Sequence, residues 1–249
     1  MKFIFSMIAA LACVVSLHHS SASALGEIRF DFEDGDEGWS IPDWSFNQKD
    51  HKAISSEVST DFASSGTHSL KVMCDFPGDV WTAALVDKEF EDPVDLYGYH
   101  SISVDMYLPK NAPKELMLAR MILTVGEEWR FTEMRFPVQL KAGKWTTVSA
   151  RLESYEVPDP VWKGRAEKRL FLNIRKVRKV AVRIEYDIAP PYRLGTEYKG
   201  PVYIDNMVIE PGGPENLLPP SVTGEAAEGS AAATVPSGPG KGVYPEEKP

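Results

Sequence analysis

The chain has 249 residues and a formal net charge of −9 at pH 7. This acidity argues against nucleic acid and anionic lipid as partners, because both would repel the protein. Cys74 is the one cysteine after residue 24, and no Cys/His cluster has zinc-ligand spacing. An intrachain disulfide and a structural zinc are therefore both excluded for the mature chain.

Residues 1–24 are typical of a secretory signal peptide. Lys2 precedes an apolar run over residues 3–17, and Ala22-Ser23-Ala24 fits the small-residue cleavage pattern. Cys13 could suggest a lipid anchor, but the apolar run continues past it. We expect a protein with no transmembrane span that is secreted, periplasmic or held in the cell envelope.

Residues 25–211 are predicted to form one all-β domain, because short runs of alternating apolar and polar residues are separated by turn signals. A long irregular connection is expected over residues 153–169, and a helical turn near residues 95–99. Residues 212–249, rich in Pro, Gly, Ala, Ser and Glu, are predicted to be a disordered tail, which is a candidate contact for a protein partner. The expected strands are Glu27–Phe32, Ala53–Val58, His68–Cys74, Val80–Phe90, Ser101–Leu108, Leu116–Val125, Glu128–Leu140, Thr146–Leu152, Lys179–Ile188 and Val202–Glu210.

Asp205 stands out in the last predicted strand, Gly200-Pro201-Val202-Tyr203-Ile204-Asp205-Asn206-Met207-Val208-Ile209-Glu210. Strand alternation puts its carboxylate on a largely apolar face with Tyr203, Met207 and Ile209. An unpaired charge there would be costly, so Asp205 needs either a cation or a set of hydrogen-bond donors.

Four motifs occur in the order found in jelly-roll carbohydrate-binding modules of the galactose-binding-like kind, which the chain resembles over roughly residues 27–210. They are the last strand, an opening strand with an acidic turn and Gly38-Trp39, the run Ser65-Gly66-Thr67-His68-Ser69-Leu70-Lys71-Val72, and Gly143-Lys144-Trp145-Thr146-Thr147-Val148. The resemblance implies a two-sheet antiparallel β-sandwich that binds a glycan on one sheet face.

The resemblance also implies one structural calcium ion near the first and last strands. Glu33 and Asp205 match those positions as calcium ligands, although the other acids of the turn, Asp34, Asp36 and Glu37, are equally available. The alternative is that Asp205 caps a turn or pairs with Lys or Arg.

Jelly-roll order would place the strands that begin at His68, Ser101, Thr146 and Val202 in one sheet, and those that begin at Val80, Leu116, Glu128 and Lys179 in the other. The outward face of the second sheet would then display aromatic and charged side chains together. The candidate ligand-binding residues are Trp129, Arg120, Arg183, Glu185, Glu133 and Trp81, beside Phe131 and Arg135. The charged ones could instead form cross-strand ion pairs on a solvated face.

The other tryptophans are given different roles. Trp39 and Trp44 are expected to pack near the first strand, and Trp145 is expected in the core, while Trp162 could reach the binding face from its loop. We therefore predict an exported, non-catalytic protein that binds a polysaccharide or oligosaccharide by aromatic stacking and Arg/Glu hydrogen bonds. The alternatives are a glycan-cleaving hydrolase or lyase on the same sandwich, and an exported protein–protein interaction domain.

Overall fold

The computed structural model describes residues 25–113, 117–152, 174–186 and 196–212, together with the backbone of residues 162–164. The predicted signal peptide, nearly all of the predicted tail and most of the connection at 153–169 lie outside these residues and stay predictions. Within that connection, predicted to be irregular, Trp162–Gly164 forms a strand. Within the described part of the chain, no helix is long and apolar enough to cross a membrane.

The regular secondary structure of the described chain is almost entirely β-strand, as predicted. One short 3-10 helix, Asp43–Asn47, lies between β2 and β3. The strands are β1 (Ile28–Phe30), β2 (Trp39–Ser40), β3 (Ala53–Ser59), β4 (Ser69–Phe76), β5 (Thr82–Val94), β6 (Tyr99–Leu108), β7 (Met117–Val125), β8 (Arg130–Met134), β9 (Val138–Gln139), β10 (Lys144–Arg151), β11 (Trp162–Gly164), β12 (Val177–Tyr186) and β13 (Tyr198–Pro211).

The strands form two antiparallel sheets. Sheet A has the order β10-β6-β13-β4-β3, with β1 paired to β13, and sheet B has the order β11-β8-β7-β12-β5-β2, with β9 paired to β7. The predicted division of the eight principal strands between the sheets is confirmed. The two-sheet antiparallel β-sandwich of the jelly-roll kind is therefore the fold of the protein.

The core lies between the sheets and follows the predicted strand parity. In β12, Val180, Val182, Ile184 and Tyr186 are all fully buried, and in β7 Ala119, Met121, Leu123 and Val125 are as well. Alternation then directs the intervening residues of both strands to the outer face of sheet B, where the predicted site lies.

Several local expectations were wrong. The strand expected over 128–140 ends at Met134, so Phe136, predicted to point inward, is 69% exposed. Trp145, predicted in the core, lies on the outer face of sheet A against Tyr107, because its parity is opposite to that of the buried Val148. Residues 95–99 form no helical turn, and the one short helix of the described chain is at Asp43–Asn47.

Candidate functional site

The outer face of sheet B has an apolar floor. The strand registers place Ala181 beside Ile122 of β7, and Arg183 beside Leu85 of β5. Leu85, Ile122 and Ala181 form a buried cluster outside the main core, with Phe131 of β8 packed against it. These residues are buried although they lie on the side of sheet B that faces away from the inter-sheet core. They therefore form the floor of a depression on this outer face.

The depression is an open cleft with two lobes. The larger lobe, about 540 Å³, is lined by Trp44, Trp81, Leu85, Phe131 and polar side chains that include His51, Glu133 and Arg183. The smaller lobe, about 320 Å³, is lined by Trp44, Trp129, Ile122, Ala181 and polar side chains that include Asp87 and Lys179. Trp44, Leu85 and Phe131 line both lobes, so the cleft is continuous across the sheet.

Three exposed tryptophans stand around this cleft. Trp44 is 47% exposed, Trp129 46% and Trp81 38%. Trp39, in contrast, is 1% exposed and packs edge-on against Phe30 in the core. Exposed indole rings of this size are costly to leave in water, and a partner that covers them recovers that cost.

Trp44 reaches the cleft from the 3-10 helix Asp43–Asn47. The end of this segment is joined to β5, because Ala83 donates its amide to Asp50 and Lys52 donates its amide to Ala83. The ring of Trp44 meets the imidazole of His51 edge-to-face, with the ring centres 4.8 Å apart. Sequence reasoning assigned Trp44 to packing and left out His51, so this side of the cleft was missed.

Trp129 lies in the β7–β8 turn and not in the predicted strand. Its φ is +53°, a left-handed conformation that is uncommon for a bulky residue. The Arg178 guanidinium lies 4.9 Å from the centre of its ring, and the Arg178 Nε also donates to the carbonyl of Gly126. The turn and this cation–π contact together direct the indole toward the smaller lobe.

A chain of ion pairs crosses the sheet beside the larger lobe. Glu185 Oε1 accepts from Nε of Arg120 at 2.7 Å and from Nε of Arg183 at 2.9 Å. Arg183 Nη2 also donates to Glu133 at 2.7 Å, while Arg120 donates to the carbonyl of Met134. The side chain of Glu185 is 5% exposed, whereas those of Arg120, Arg183 and Glu133 are 14–16% exposed, so Glu185 is the buried centre of this chain of ion pairs.

The predicted charged residues are therefore brought together, as cross-strand ion pairs. Arg183 and Glu133 line the larger lobe, and the Arg183 guanidinium also lies 6.0 Å from the centre of the Trp81 ring. Direct contact of the six predicted residues with a ligand stays a prediction. The side chain of Trp162 lies outside the described residues.

Asp87 and Lys179 face the smaller lobe. Asp87 is 7% exposed, and Lys179 Nζ lies 3.3 Å from its Oδ2. Burial raises the pKa of Asp87, although the charge of Lys179 opposes this shift. Strand alternation could have found both residues. Asp87 lies two residues after Leu85 in β5, and Lys179 lies two residues before Ala181 in β12, so each shares the outer face with that apolar residue.

Glu33 and Asp205 hold a loop. The β3–β4 loop, residues 60–68, donates the amides of Ser64 and Ser65 to Asp205 Oδ2 at 2.6 and 3.0 Å. It also donates the amides of Thr67 and His68 to Glu33 Oε1, each at 2.8 Å. The sequence predicted that the buried charge of Asp205 needs either a cation or a set of hydrogen-bond donors, and the structure provides the donors.

This arrangement does not fit a calcium site at Glu33 and Asp205. Calcium requires oxygen ligands, whereas both carboxylates are faced by amide N–H groups. Among the described residues, no group of three or more His, Cys, Asp or Glu side chains could hold a metal ion. Calcium binding stays a prediction, and the contacts of these two residues do not support it.

Solved structures with a similar fold include several carbohydrate-binding modules. The family 11 module of a cellulosomal cellulase of Clostridium thermocellum is 14% identical, with a TM-score of 0.45 over 76% of this chain and 97% of that chain. A family 22 xylan-binding domain from Paenibacillus barcinonensis is also 14% identical, with a TM-score of 0.45 over 78% of this chain and 99% of that chain. A family 28 module, specific for non-crystalline cellulose, is 16% identical, with a TM-score of 0.48 over 74% of this chain and 93% of that chain.

No protein-family model and no curated protein matches the sequence. The three structures named above are carbohydrate-binding modules, and an exo-β-agarase is also among the similar structures. At such low identity the likeness concerns the fold, and what the protein binds has to be argued from its own cleft.

Proposed function

We propose that the protein binds a polysaccharide or oligosaccharide in the cleft of sheet B and leaves it covalently unchanged. The observation that carries this proposal is the placement of three exposed tryptophans, Trp44, Trp81 and Trp129, around one apolar floor. The charged side chains that share the cleft add the polar half of a sugar-binding surface.

Sugars suit this combination for a physical reason. The C–H faces of a pyranose ring are slightly positive and pack on the negative face of an indole, while the ring hydroxyls need hydrogen-bond partners at the edges. Glu133 and Arg183 lie beside Trp81 in the larger lobe and offer a carboxylate acceptor and guanidinium donors. Hydrogen bonds to charged groups are stronger than neutral ones, so these residues would orient the sugar hydroxyls.

One observation favours the enzymatic alternative. Asp87 is a buried carboxylate in the cleft with a raised pKa, and such groups are candidates for a general acid. Its contact with Lys179 gives it a structural role as well. Release of reducing ends from a polysaccharide by the wild type, lost in Asp87→Asn, would replace the binding function with a hydrolytic one.

The main test is affinity electrophoresis in native gels that contain a soluble β-glucan, xylan, mannan or pectin. We expect at least one polysaccharide to retard the wild type and to retard Trp44→Ala, Trp81→Ala and Trp129→Ala less. Trp145→Ala is the matched control, because it removes a tryptophan from the outer face of sheet A. Thermal unfolding of each variant shows whether its fold is intact.

The outcomes separate the hypotheses. Retardation that is lost in the cleft variants and kept in Trp145→Ala would support the proposed site. Retardation that is lost only in Trp145→Ala would move the site to sheet A. No retardation on any of the four gels would contradict glycan binding and favour the protein–protein interaction domain.

A further inference from the structure

Trp44 is the tryptophan on which both lobes depend, and its own support is slight. It lies on a helix of five residues and is 47% exposed. The backbone near it is held by single hydrogen bonds, from Ser45 to Pro42 and from Gln48 to Ser45. The contact of its ring with His51 therefore contributes much of what fixes the indole over the cleft.

The imidazole of His51 is an unusual support. Its side chain is 13% exposed, and both ring nitrogens are buried without a hydrogen-bond partner in the described structure. The backbone on either side of it is anchored to β5 through Asp50 and Lys52, which fixes where the side chain of His51 starts. A buried polar group without a partner costs free energy, and a charged one costs considerably more.

The charges around His51 come from three elements. Asp50, its neighbour in sequence, places Oδ1 3.5 Å from Nδ1. Arg183 of β12 and Glu133 of β8 line the same lobe and are hydrogen-bonded to each other. Burial is the largest influence and lowers the pKa of His51 below its usual 6.5; Asp50 opposes the shift and Arg183 adds to it.

We propose that His51 is a positioning residue for Trp44, and that only its neutral imidazole keeps the indole over the cleft. A protonated ring would carry two N–H donors. The one on Nε2 has no acceptor in the buried site, and the one on Nδ1 has only the Asp50 carboxylate at 3.5 Å, so the segment from Trp44 to His51 would open to let water reach the ring. Opening removes the one tryptophan common to both lobes. This inference rests on the proposed function for its effect on glycan binding, but not for the change in Trp44 itself.

The direction of the pH effect follows from proton linkage. The closed arrangement binds the proton more weakly than the open one, so it is most stable above pH 6.5 and is lost as the pH falls below that value. The ratio of closed to open protein falls by at most about tenfold for each unit by which closure lowers the pKa. The apparent affinity for polysaccharide decreases in proportion to the fraction that remains closed.

The experiment has a ligand-free arm and a binding arm. Tryptophan fluorescence of the free protein is recorded between pH 8 and pH 5 for the wild type, His51→Phe and Trp44→Phe. His51→Phe keeps an aromatic ring under Trp44 but cannot be protonated. Affinity for whichever of the four gel polysaccharides retards the wild type is measured over the same range. Asp50→Asn, at an exposed position, serves as a second variant.

We expect a fluorescence step below pH 6.5 in the wild type that is absent from both phenylalanine variants. The step should be larger in Asp50→Asn, because loss of the Asp50 carboxylate lowers the pKa of His51 further in the closed arrangement. Polysaccharide affinity should fall through the same range in the wild type and stay level in His51→Phe. A wild type without the step, or a step that persists in His51→Phe, would overturn the positioning role whatever binds. If the step behaves as expected and no polysaccharide binds at any pH, the proposed function fails and the role of His51 stands.

Discussion

The substitution Glu185→Gln tests whether the ion pairs of sheet B are a support or a ligand contact. Glu185 is 4% exposed, and its carboxylate accepts hydrogen bonds from both Arg120 and Arg183. Glutamine keeps the shape of the side chain but removes the negative charge. Arg120 would then have only uncharged acceptors, among them backbone carbonyls, while Arg183 would keep the carboxylate of Glu133.

The burial of the pair sets the expected magnitude. An exposed ion pair contributes about 0–1 kcal/mol, whereas breaking a buried one costs about 3–5 kcal/mol, because the remaining charge is left uncompensated. Because Arg120 is 14% exposed, we expect a loss near the lower limit, about 3 kcal/mol. For a domain of this size that corresponds to a melting temperature lower by about 6–12 °C.

Urea unfolding and thermal unfolding at pH 7 measure the loss. Glu128→Gln is the matched control, because Glu128 pairs with Arg130 at 3.6 Å and its side chain is 69% exposed; it should change stability by less than about 1 kcal/mol. If Glu185→Gln is as stable as this control but binds polysaccharide more weakly, Glu185 is a ligand contact and the supporting role is refuted.

Three further predictions follow from contacts outside this network. Arg178→Ala removes the cation beside Trp129 and should weaken polysaccharide binding by about two- to fivefold in a titration, the equivalent of 0.5–1 kcal/mol; unchanged affinity would mean that the turn alone holds the ring. The backbone hydrogen bond from Thr67 is the largest of the effects that lower the pKa of Glu33 from 4.5 to about 2. The free energy of unfolding should therefore decrease as the pH falls from 4.5 to about 2. In urea unfolding, Glu33→Gln should show a weaker dependence of this free energy on pH, and the same dependence as in the wild type would contradict the prediction. In Asp205→Asn, an NH2 group takes the place of one carboxylate oxygen that accepts hydrogen bonds from backbone amides. The free energy of unfolding, measured by thermal unfolding, should fall by about 1–3 kcal/mol, and proteolysis of the β3–β4 loop should be faster. Wild-type values for both would show that the loop is held by other contacts.

Strand parity accounts for what could be predicted of the fold. In β12 the alternation of valine and isoleucine with polar residues leaves one arrangement that buries the apolar side chains, so the core face and the outer face were both assigned correctly. Parity failed where the backbone leaves the strand. Trp129 is in a turn, and the strand that should have buried Phe136 ends at Met134.

The site was predicted only where it lies on strands. Glu133, Arg183 and Glu185 were assigned to one face from alternation, and the registers bring them within hydrogen-bond distance. Trp44 and His51 belong to a segment whose position depends on backbone pairing with Ala83, a contact between residues distant in sequence that no local pattern encodes. The one available signal was compositional: a tryptophan among polar residues just after Pro42 has little chance of being buried by its own segment.

The two outer faces of the sandwich differ in how their aromatic residues are covered, and this difference supports the proposed binding site. On sheet A, the β3–β4 loop lays Phe62 on the rings of Tyr107 and Tyr203, with ring centres 4.4 and 5.0 Å apart, and leaves those tyrosines 8% and 3% exposed. The chain itself covers the two tyrosines there and leaves Phe62 40% exposed, and the carboxylates of Asp205 and Glu33 hold the loop in place. On sheet B, the equivalent aromatic residues stand around an open cleft, with the tryptophans more than a third exposed. A surface of this kind recovers the cost of its exposed rings when a partner with apolar faces and polar edges covers it, and a sugar ring has both.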